Sequence, residues 1–449
     1  MPMFQPSGLA GLLVTFLVAA PALAADRAED RWPQFRGPNS SGVAQGPGLP
    51  EVWDAKTNIV WQTPIPGRGW SSPIVWGDRI FVTAAVQEEG EPEPVKPGLY
   101  LFGERPIPKG VHRWAVYAID FNSGKVLWER VVHRGVPKQG HHLKNSLASE
   151  TPVTDGKRVY AYFGNVGLFC FDFEGRQLWH RTWGDFPMHM AWGTAASPVV
   201  YNSRVYLVND NDRESFLVAL DSATGRDIWR VARDELSNWS TPLIWENNLR
   251  TELVVPGAGK NRAYDLDGKL LWELGGMSRL TIPTPVASRT LVYISSGYVG
   301  DKRKPVFAVR PGAKGEISLK DDQTQNEFVA WCRKMDGPYN PSPVLYGGRL
   351  YILYDRGMLA CYDAETGEEL YGKTRLENVS GGFSASPWAY QGKVFCLSEG
   401  GQTYVIQAGP DFKLLRVNPL DELCMATPAI ARHSLLIRTE SKLVRIEQK

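Results

Sequence analysis

The sequence predicts an all-β fold: an eight-bladed β-propeller of four-stranded antiparallel blades, with the last blade closed by an N-terminal strand. Three observations carry this expectation. A Ser/Thr-Pro pair recurs eight times, at Ser72-Pro73, Thr151-Pro152, Ser197-Pro198, Thr241-Pro242, Thr284-Pro285, Ser342-Pro343, Ser386-Pro387 and Thr427-Pro428. Its period is roughly 44 residues, with a longer first and fifth interval, and a period near 40–50 is that of a propeller blade. Each unit also holds four short β-branched and aromatic runs bounded by turn residues, which read as strands.

The third unit shows the elements in order. Ser197-Pro-Val-Val is a first strand, followed by the turn Tyr-Asn-Ser; Arg204–Asn209 is the second strand and Phe216–Asp221 the third. Ser-Ala-Thr-Gly225 turns the chain into the fourth strand, Arg226–Arg230. The second half of the unit recurs as AIDFNSGKVLW (118–128), CFDFEGRQLW (170–179), ALDSATGRDIW (219–229), AYDLDGKLLW (263–272) and CYDAETGEELY (361–371). In each, the Asp carboxylate is placed to bond backbone N–H groups two residues on, and the Gly supplies a positive φ. Asp120, Asp172, Asp221, Asp265 and Asp363 are therefore turn residues, because five copies at one position argue against catalysis. The Trp that follows is expected on the outer strand, its face covering the next blade. Proline at the start of the innermost strand fits a sheet edge, where a missing N–H costs little.

The eighth unit has only three strands before Lys449, and Asn58–Thr63 resembles the missing outer strand. The expected organisation is a signal peptide over 1–24, an extension over 25–57 and one propeller over 58–449, with the strand 58–66 completing the last blade. Such a clasp removes an exposed edge.

The chain has 449 residues with 50 Lys+Arg against 48 Asp+Glu, so its formal net charge is +2. That balance excludes the strongly basic field of a nucleic-acid binder. The apolar run Leu9–Ala20, followed by Ala22-Leu23-Ala24, reads as an export signal and is too short to span a membrane. The expected location is therefore exported, periplasmic or extracellular. Cys170, Cys332, Cys361, Cys396 and Cys424 form no C-x-x-C, which excludes zinc knuckles and c-type haem attachment, and they read as small buried hydrophobes.

Candidate binding residues stand in the loops entering each innermost strand, since loops on a rigid scaffold usually carry function. Trp70, Trp192, Trp239, Tyr339 and Phe383 precede Ser/Thr-Pro pairs. They are placed either to line a funnel for a peptide or glycan, or to plug the ring and pack between blades. His133, His141, His142 and His189 lie in the loops before units two and three, and the adjacent pair His141 and His142 points opposite ways, against a shared metal site. Lys144 and Asn145 beside them are candidates for an anionic or polar group. Asp210-Asn-Asp212-Arg-Glu214 resembles the start of a calcium loop but has Ser215 where an EF-hand needs glycine, and reads as a solvated acidic loop. The first unit carries the insertion Val86–Arg113, with Glu88, Glu89, Glu91 and Glu93, expected on the channel-mouth face as a lid, a partner-binding arm or a mobile loop. The fifth carries Pro311–Asn326, expected on the opposite face. No nucleophile elbow, P-loop or dinucleotide fingerprint is present, so no catalytic residue is assigned.

The A-x-D-x-x-T-G-x-x-x-W signature resembles the pyrroloquinoline-quinone (PQQ) type propeller repeat over roughly residues 58–448. That family includes quinoprotein dehydrogenases, the propeller subunit of the outer-membrane β-barrel assembly machinery, and secreted bacterial proteins of unknown role. RWPQFRGPNSSGVA (31–44) and KNSLASETPVTDG (144–156) resemble the last group. The resemblance implies a non-catalytic module for binding or scaffolding, recognising a protein or ligand at the channel-mouth face. The dehydrogenases hold PQQ against a disulfide of adjacent cysteines, with calcium and a catalytic Asp, and no adjacent cysteines occur here. The expectation is thus no cofactor and no metal, a monomeric propeller, and an unidentified protein or polymeric partner, with a PQQ/calcium dehydrogenase and a glycan-binding propeller as alternatives.

Overall fold

The Asp turns at Asp120, Asp221 and Asp363 form the same local structure, and the shorter turns at Asp172 and Asp265 bond the N–H groups of Arg176 and of Asp267 and Lys269 instead. Asp221 Oδ1 accepts from the backbone N–H of Thr224 at 2.8 Å and of Ala223 at 3.1 Å. Asp363 does the same with Thr366 and Glu365, and Asp120 with Ser123. These bonds to the charged form hold the three carboxyls below the usual carboxylate range. On blades 1, 2, 3 and 5 the outer-strand Trp lies over the turn of the following blade, whereas Trp272 donates to Glu252 Oε2 of its own blade. The indole N–H of Trp179 donates to Ser222 O at 3.1 Å, that of Trp128 to Phe173 O at 2.8 Å, and that of Trp331 to Ala364 O at 3.0 Å.

The turn glycine is required twice over. Gly225 has φ +70°, and a Cβ there would stand 2.6 Å from the Trp179 ring. Gly225→Ala is expected to cost about 2 kcal/mol or more, from left-handed strain plus the clash. Gly392 has the same φ with nothing within 4 Å, so Gly392→Ala carries only the backbone share. Urea midpoints of the two variants, compared with wild type, check the difference.

The structure is a computed structural model that describes residues 1–3, 30–90, 92, 94–98 and 103–448. The apolar run Leu9–Ala20, the small residues after it, and Glu91 and Glu93 lie outside the described residues. Eight antiparallel sheets form the ring. Blade 1 comprises Ile74–Trp76, Arg79–Gln87, His112–Asp120 and Val126–Gly135, in order from the channel outward. Blades 2 to 7 repeat the pattern. Blade 8 takes Ala429–Ala431, Ser434–Arg438 and Lys442–Glu447 from the C-terminal end and its outer strand, Ile59–Pro64, from the N-terminal side. Thr63 pairs with Leu443 and Gln62 with Val444, so the ring closes as the repeat count requires. Among the described residues no helix is long and apolar enough to cross a membrane. All five cysteines are buried and free.

Three features go beyond the repeat. The first is a belt of hydrogen bonds made by the Ser/Thr of the Ser/Thr-Pro pairs. Six of the eight hydroxyl oxygens accept from the backbone N–H of the equivalent residue in the preceding blade: Ser72 N to Thr151 Oγ1 at 3.0 Å, Thr151 N to Ser197 Oγ at 2.9 Å, Ser197 N to Thr241 Oγ1 at 3.0 Å. It continues from Thr284 N to Ser342 Oγ, from Ser342 N to Ser386 Oγ and from Ser386 N to Thr427 Oγ1, each at 2.9 Å. The hydroxyl thus stitches neighbouring blades at the channel, where buried backbone donors need a partner.

The second is a plug. Arg31–Trp32 pairs with blade 1's innermost strand from inside the channel. Pro33 O accepts from Thr154 N of blade 2, and Ala389 of blade 7 bonds both Gly42 O and Ala44 N. Between them, fully buried Arg36 donates to Ser342 O at 3.0 Å and Pro343 O at 2.6 Å in blade 6, and to Ser40 O and Ser41 O of its own segment. The segment 31–44 therefore crosses the ring and closes it from the face opposite the mouth. The third is a fifth strand on blade 4: Gly315–Glu316, within the fifth unit's insertion, pairs in parallel with Trp272–Glu273, covering that blade's edge.

Candidate functional site

The channel holds a chamber of about 180 Å³. Its wall is two rings. The lower is the Ser/Thr belt. The upper is the residue two positions earlier in each blade, in order Trp70, Ser149, Ala195, Trp239, Ile282, Asn340, Ser384 and Met425. In extended chain, residues two apart share a face, so both rings point at the axis. Phe35 of the plug reaches the chamber from the opposite end, and His142, Lys144, Asn145, Trp192 and Tyr339 surround its mouth.

Seven of the nine candidates from the sequence thus converge: Trp70, His142, Lys144, Asn145, Trp192, Trp239 and Tyr339. The other two do not. Phe383 stands three residues before Ser386, an odd offset that turns it into the interblade core, fully buried against Tyr404 with ring centroids 6.0 Å apart. Ser384 takes the channel position instead. His141 lines a neighbouring cleft of about 830 Å³ beside the first unit's insertion.

The convergent residues are engaged with one another. Trp192 and Trp239 pack at 6.2 Å, and with Phe186, Met188, Leu280 and Tyr339 they form a buried cluster. The Trp239 indole donates to Gly193 O at 2.7 Å, and His142 packs edge-on against Trp192 at 5.0 Å. Asn145 Nδ2 donates to Trp192 O and Thr194 O. Lys144 Nζ pairs with Glu399 of blade 7, and both side chains are nearly or fully buried. Glu399 also accepts from Ser384 Oγ at 2.8 Å and Gly98 N at 2.7 Å.

Those bonds show what the first unit's insertion does. Gly98 reaches blade 7. Further along, Gly103 O accepts from the Trp192 indole at 3.0 Å, and Arg105 N donates to Met190 O at 3.0 Å. The described parts of the insertion are therefore tied to both sides of the mouth, and with the Lys144–Glu399 pair they form a lid.

Beside this lid, Glu150 is buried with its carboxylate accepting from Thr194 Oγ1. Burial pushes its carboxyl up to about 7. Because the folded-state value is raised above the ordinary 4.5, the stability this group contributes is complete below pH 4.5 and is lost as pH rises through about 7. The slope amounts to as much as about 3 kcal/mol at roughly 1.4 kcal/mol per unit. Glu150→Gln is expected to remove this slope, so that its urea midpoint gains on wild type between pH 5 and pH 8; parallel slopes would contradict it.

The acidic loop is solvated as expected at Asp212, Arg213 and Glu214, but Asp210 is buried. Asp210 makes a bidentate pair with Arg233 at 2.8 and 2.9 Å, both fully buried, and Asp212 accepts from Ser237 Oγ at 2.7 Å. Its carboxylates hold the outer strand and exit loop of blade 3, and Arg233 in turn donates to Tyr264 Oη and Pro256 O of blade 4. Among the described residues no group of three His, Cys, Asp or Glu side chains is placed to hold a metal ion. The chamber of about 180 Å³ is below the roughly 300–1,000 Å³ of sites for drug-sized ligands.

Sequence reasoning missed the belt and the plug. The belt had a signal, since a hydroxyl residue stands in all eight pairs. The plug had none in the repeat, because 31–44 occurs once.

The sequence profile of a family described as outer membrane protein assembly factor BamB matches residues 112–310 and 313–409, about two thirds of the chain. The outer membrane protein assembly factor BamB of Moranella endobia is 28% identical over 179 residues, covering 39% of this chain and 39% of its own length. That of Nitrosomonas eutropha is 23% identical over 224 residues, covering 39% and 50%. The match thus spans half or less of these curated relatives. Among solved structures, BamB from Moraxella catarrhalis superposes with a TM-score of 0.50 at 10% identity, over 82% of this chain and 98% of that one. Quinohemoprotein alcohol dehydrogenase from Comamonas testosteroni superposes with a TM-score of 0.60 at 12% identity, over 94% and 81%. At such identities these likenesses show the fold alone.

Proposed function

The chain belongs to the PQQ-like propeller family of the outer membrane protein assembly factor BamB, and from that premise we propose that it is an exported, non-catalytic module that binds a protein partner through its lid-bearing face. One observation carries this reading. Large apolar side chains are exposed in loops of that face: Ile107 in the insertion, and Val136, Met190, Leu236 and Met335 in the loops leading to the next blade. Leu236 is the most exposed of these five at 65%. Apolar groups left on loops of a rigid scaffold mark interaction surfaces. The family relatives are named as assembly factors, which favours a protein partner over a glycan, and the aromatics Trp192, Trp239 and Tyr339 that a glycan would need are packed in one buried cluster.

Site-specific photocrosslinking in cells tests it. A crosslinker at Leu236 or Met190 is expected to give a discrete protein adduct, and one at Leu249, exposed in a loop of the opposite face, is not. Equal adducts from both faces, or none from Leu236 and Met190, would overturn the reading.

A further inference from the structure

We infer that the protein partner docks an acidic segment onto a cationic sector at blade 5, an inference that rests on the protein-binding reading of the lid-bearing face. Blade 5 comprises Val286–Ala287, Val292–Ser295, Val306–Val309 and Val329–Arg333. The first argument is charge. Three loops of the lid-bearing face meet at this blade: 275–285 enters it, 296–305 joins its second and third strands, and 334–343 leaves it. With the last residue of the outer strand they carry Arg279, Lys302, Arg303, Lys304, Arg333 and Lys334 against only two carboxylates, Asp301 and Asp336. Six cations against two anions give the sector twice the formal net charge of +2 that the whole chain carries. Both carboxylates are already used. Asp301 accepts from Ser278 Oγ and the Arg279 backbone N–H at 2.7 Å and from Arg279 Nε at 2.8 Å. Asp336 accepts from Arg333 Nε at 2.9 Å and pairs with Lys373 of blade 6 at 3.2 Å. Lys302, Arg303 and Lys304 have no carboxylate partner among the described residues, and Lys334 Nζ donates to a backbone oxygen, that of Asp321, at 2.8 Å.

The second argument is that these like charges are held together. Lys304 N donates to Lys334 O at 3.0 Å, and Gly337 N to Lys304 O at 2.7 Å. A Cβ on Gly297 would stand 2.0 Å from Gly337 O, and one on Gly337 would stand 2.2 Å from Ser296 O. The two loops therefore lie backbone against backbone, and their cations stay side by side although they repel. An anionic surface that meets them relieves this repulsion and is drawn to the site by the same field.

The third argument is the apolar surface among the charges. Met335 is 49% exposed beside Lys334. Arg303, Lys334 and Lys320 of the fifth unit's insertion share a cleft of about 100 Å³ with Phe307 and Leu319. That is far below the roughly 300 Å³ at which small-molecule sites begin, and it suits a single side chain. Asp321 on the same cleft repels a uniformly anionic layer, which favours a peptide of mixed acidic and apolar residues over lipid headgroups.

Titration of the full chain with fluorescein-labelled poly-L-glutamate, read by anisotropy, tests the sector. Lys302→Glu/Arg303→Glu/Lys334→Glu is expected to weaken binding about tenfold or more, the lower end of what electrostatic focusing supplies. Lys125→Glu/Arg226→Glu/Lys269→Glu makes the same change of charge on exposed turns of the opposite face and is expected to leave binding unchanged. Both variants are expected to melt with wild type, and wild-type binding to vanish at about 1 M salt, where the screening length is about 3 Å. In cells, the Leu236 photoadduct is expected to fall in the first variant and persist in the second. Poly-L-glutamate binding indifferent to the first variant, equal weakening by both, or binding of phosphatidylglycerol vesicles in place of poly-L-glutamate would overturn the proposal. A Leu236 adduct that persists in the first variant overturns this proposal alone, whereas no Leu236 adduct in wild type overturns the reading of the face as well.

Discussion

Arg36→Met is expected to destabilise the protein by about 3–5 kcal/mol, the scale of breaking a buried charged network, read as a lower urea midpoint. Arg36 is fully buried, and burial pushes its guanidinium down to about 9. It remains favourable there because four backbone carbonyls receive its protons: Ser40, Ser41, Ser342 and Pro343. Two belong to the plug and two to the inner strand of blade 6, so one side chain fastens the crossing segment to the far side of the ring. Methionine fills similar space and leaves four buried carbonyls without a donor, each costing about 1–3 kcal/mol if it stays dry. Lysine brings a point charge instead of a planar fork and cannot reproduce the geometry, so Arg36→Lys is expected to recover less than half the loss. An unchanged midpoint in Arg36→Met would mean that the plug contributes nothing to the ring.

The larger effect is expected from the clasp. A chain starting at residue 65 lacks both plug and outer strand of blade 8, while one starting at residue 45 lacks only the plug. The first exposes the edge of Lys442–Glu447 and uncovers Leu443, Val444 and Ile446, which sit in a core cluster with Ile59 and Trp61 packed against it. An open edge beside apolar surface pairs with another copy. The shorter chain is expected to be recovered as oligomer or aggregate, and the longer one as a less stable monomer, by size-exclusion chromatography with light scattering. A monomeric, cooperatively unfolding 65–448 chain would contradict the closure.

The repeat was legible because its physics is local. Asp and Gly build one turn in five copies, and the eight Ser/Thr-Pro pairs give the blade count. The missing strand of the eighth unit pointed to Ile59–Pro64 for the same reason. What could not be read comes from contacts made across the ring. Arg36 meets Ser342 some three hundred positions away, and nothing in RWPQFRGPNSSGVA shows that pairing. Gly315–Glu316 joins the neighbouring blade as a two-residue strand, too short to leave a period. Among the candidate site residues, the parity of the offset from the Ser/Thr-Pro pair separated Trp70 and Trp239 from Phe383, and that rule was present in the sequence. Tyr339 sits at an odd offset and reaches the mouth only because the chain bends there. Lys144 was legible as a charged loop residue, but its partner Glu399 was not.

The most direct test of the central claim, that the lid-bearing face is the binding surface of a non-catalytic ring, is a pair of surface variants. Met190→Asp with Leu236→Asp changes two exposed side chains of that face, and Leu249→Asp changes one on the other. Both are expected to melt with wild type, since exposed substitutions are usually within about 0.5 kcal/mol. Co-purification of the photocrosslinked partner from cell envelopes is expected to be lost in the first and kept in the second. Retention of that partner by Met190→Asp/Leu236→Asp, with loss in Leu249→Asp, would contradict the account.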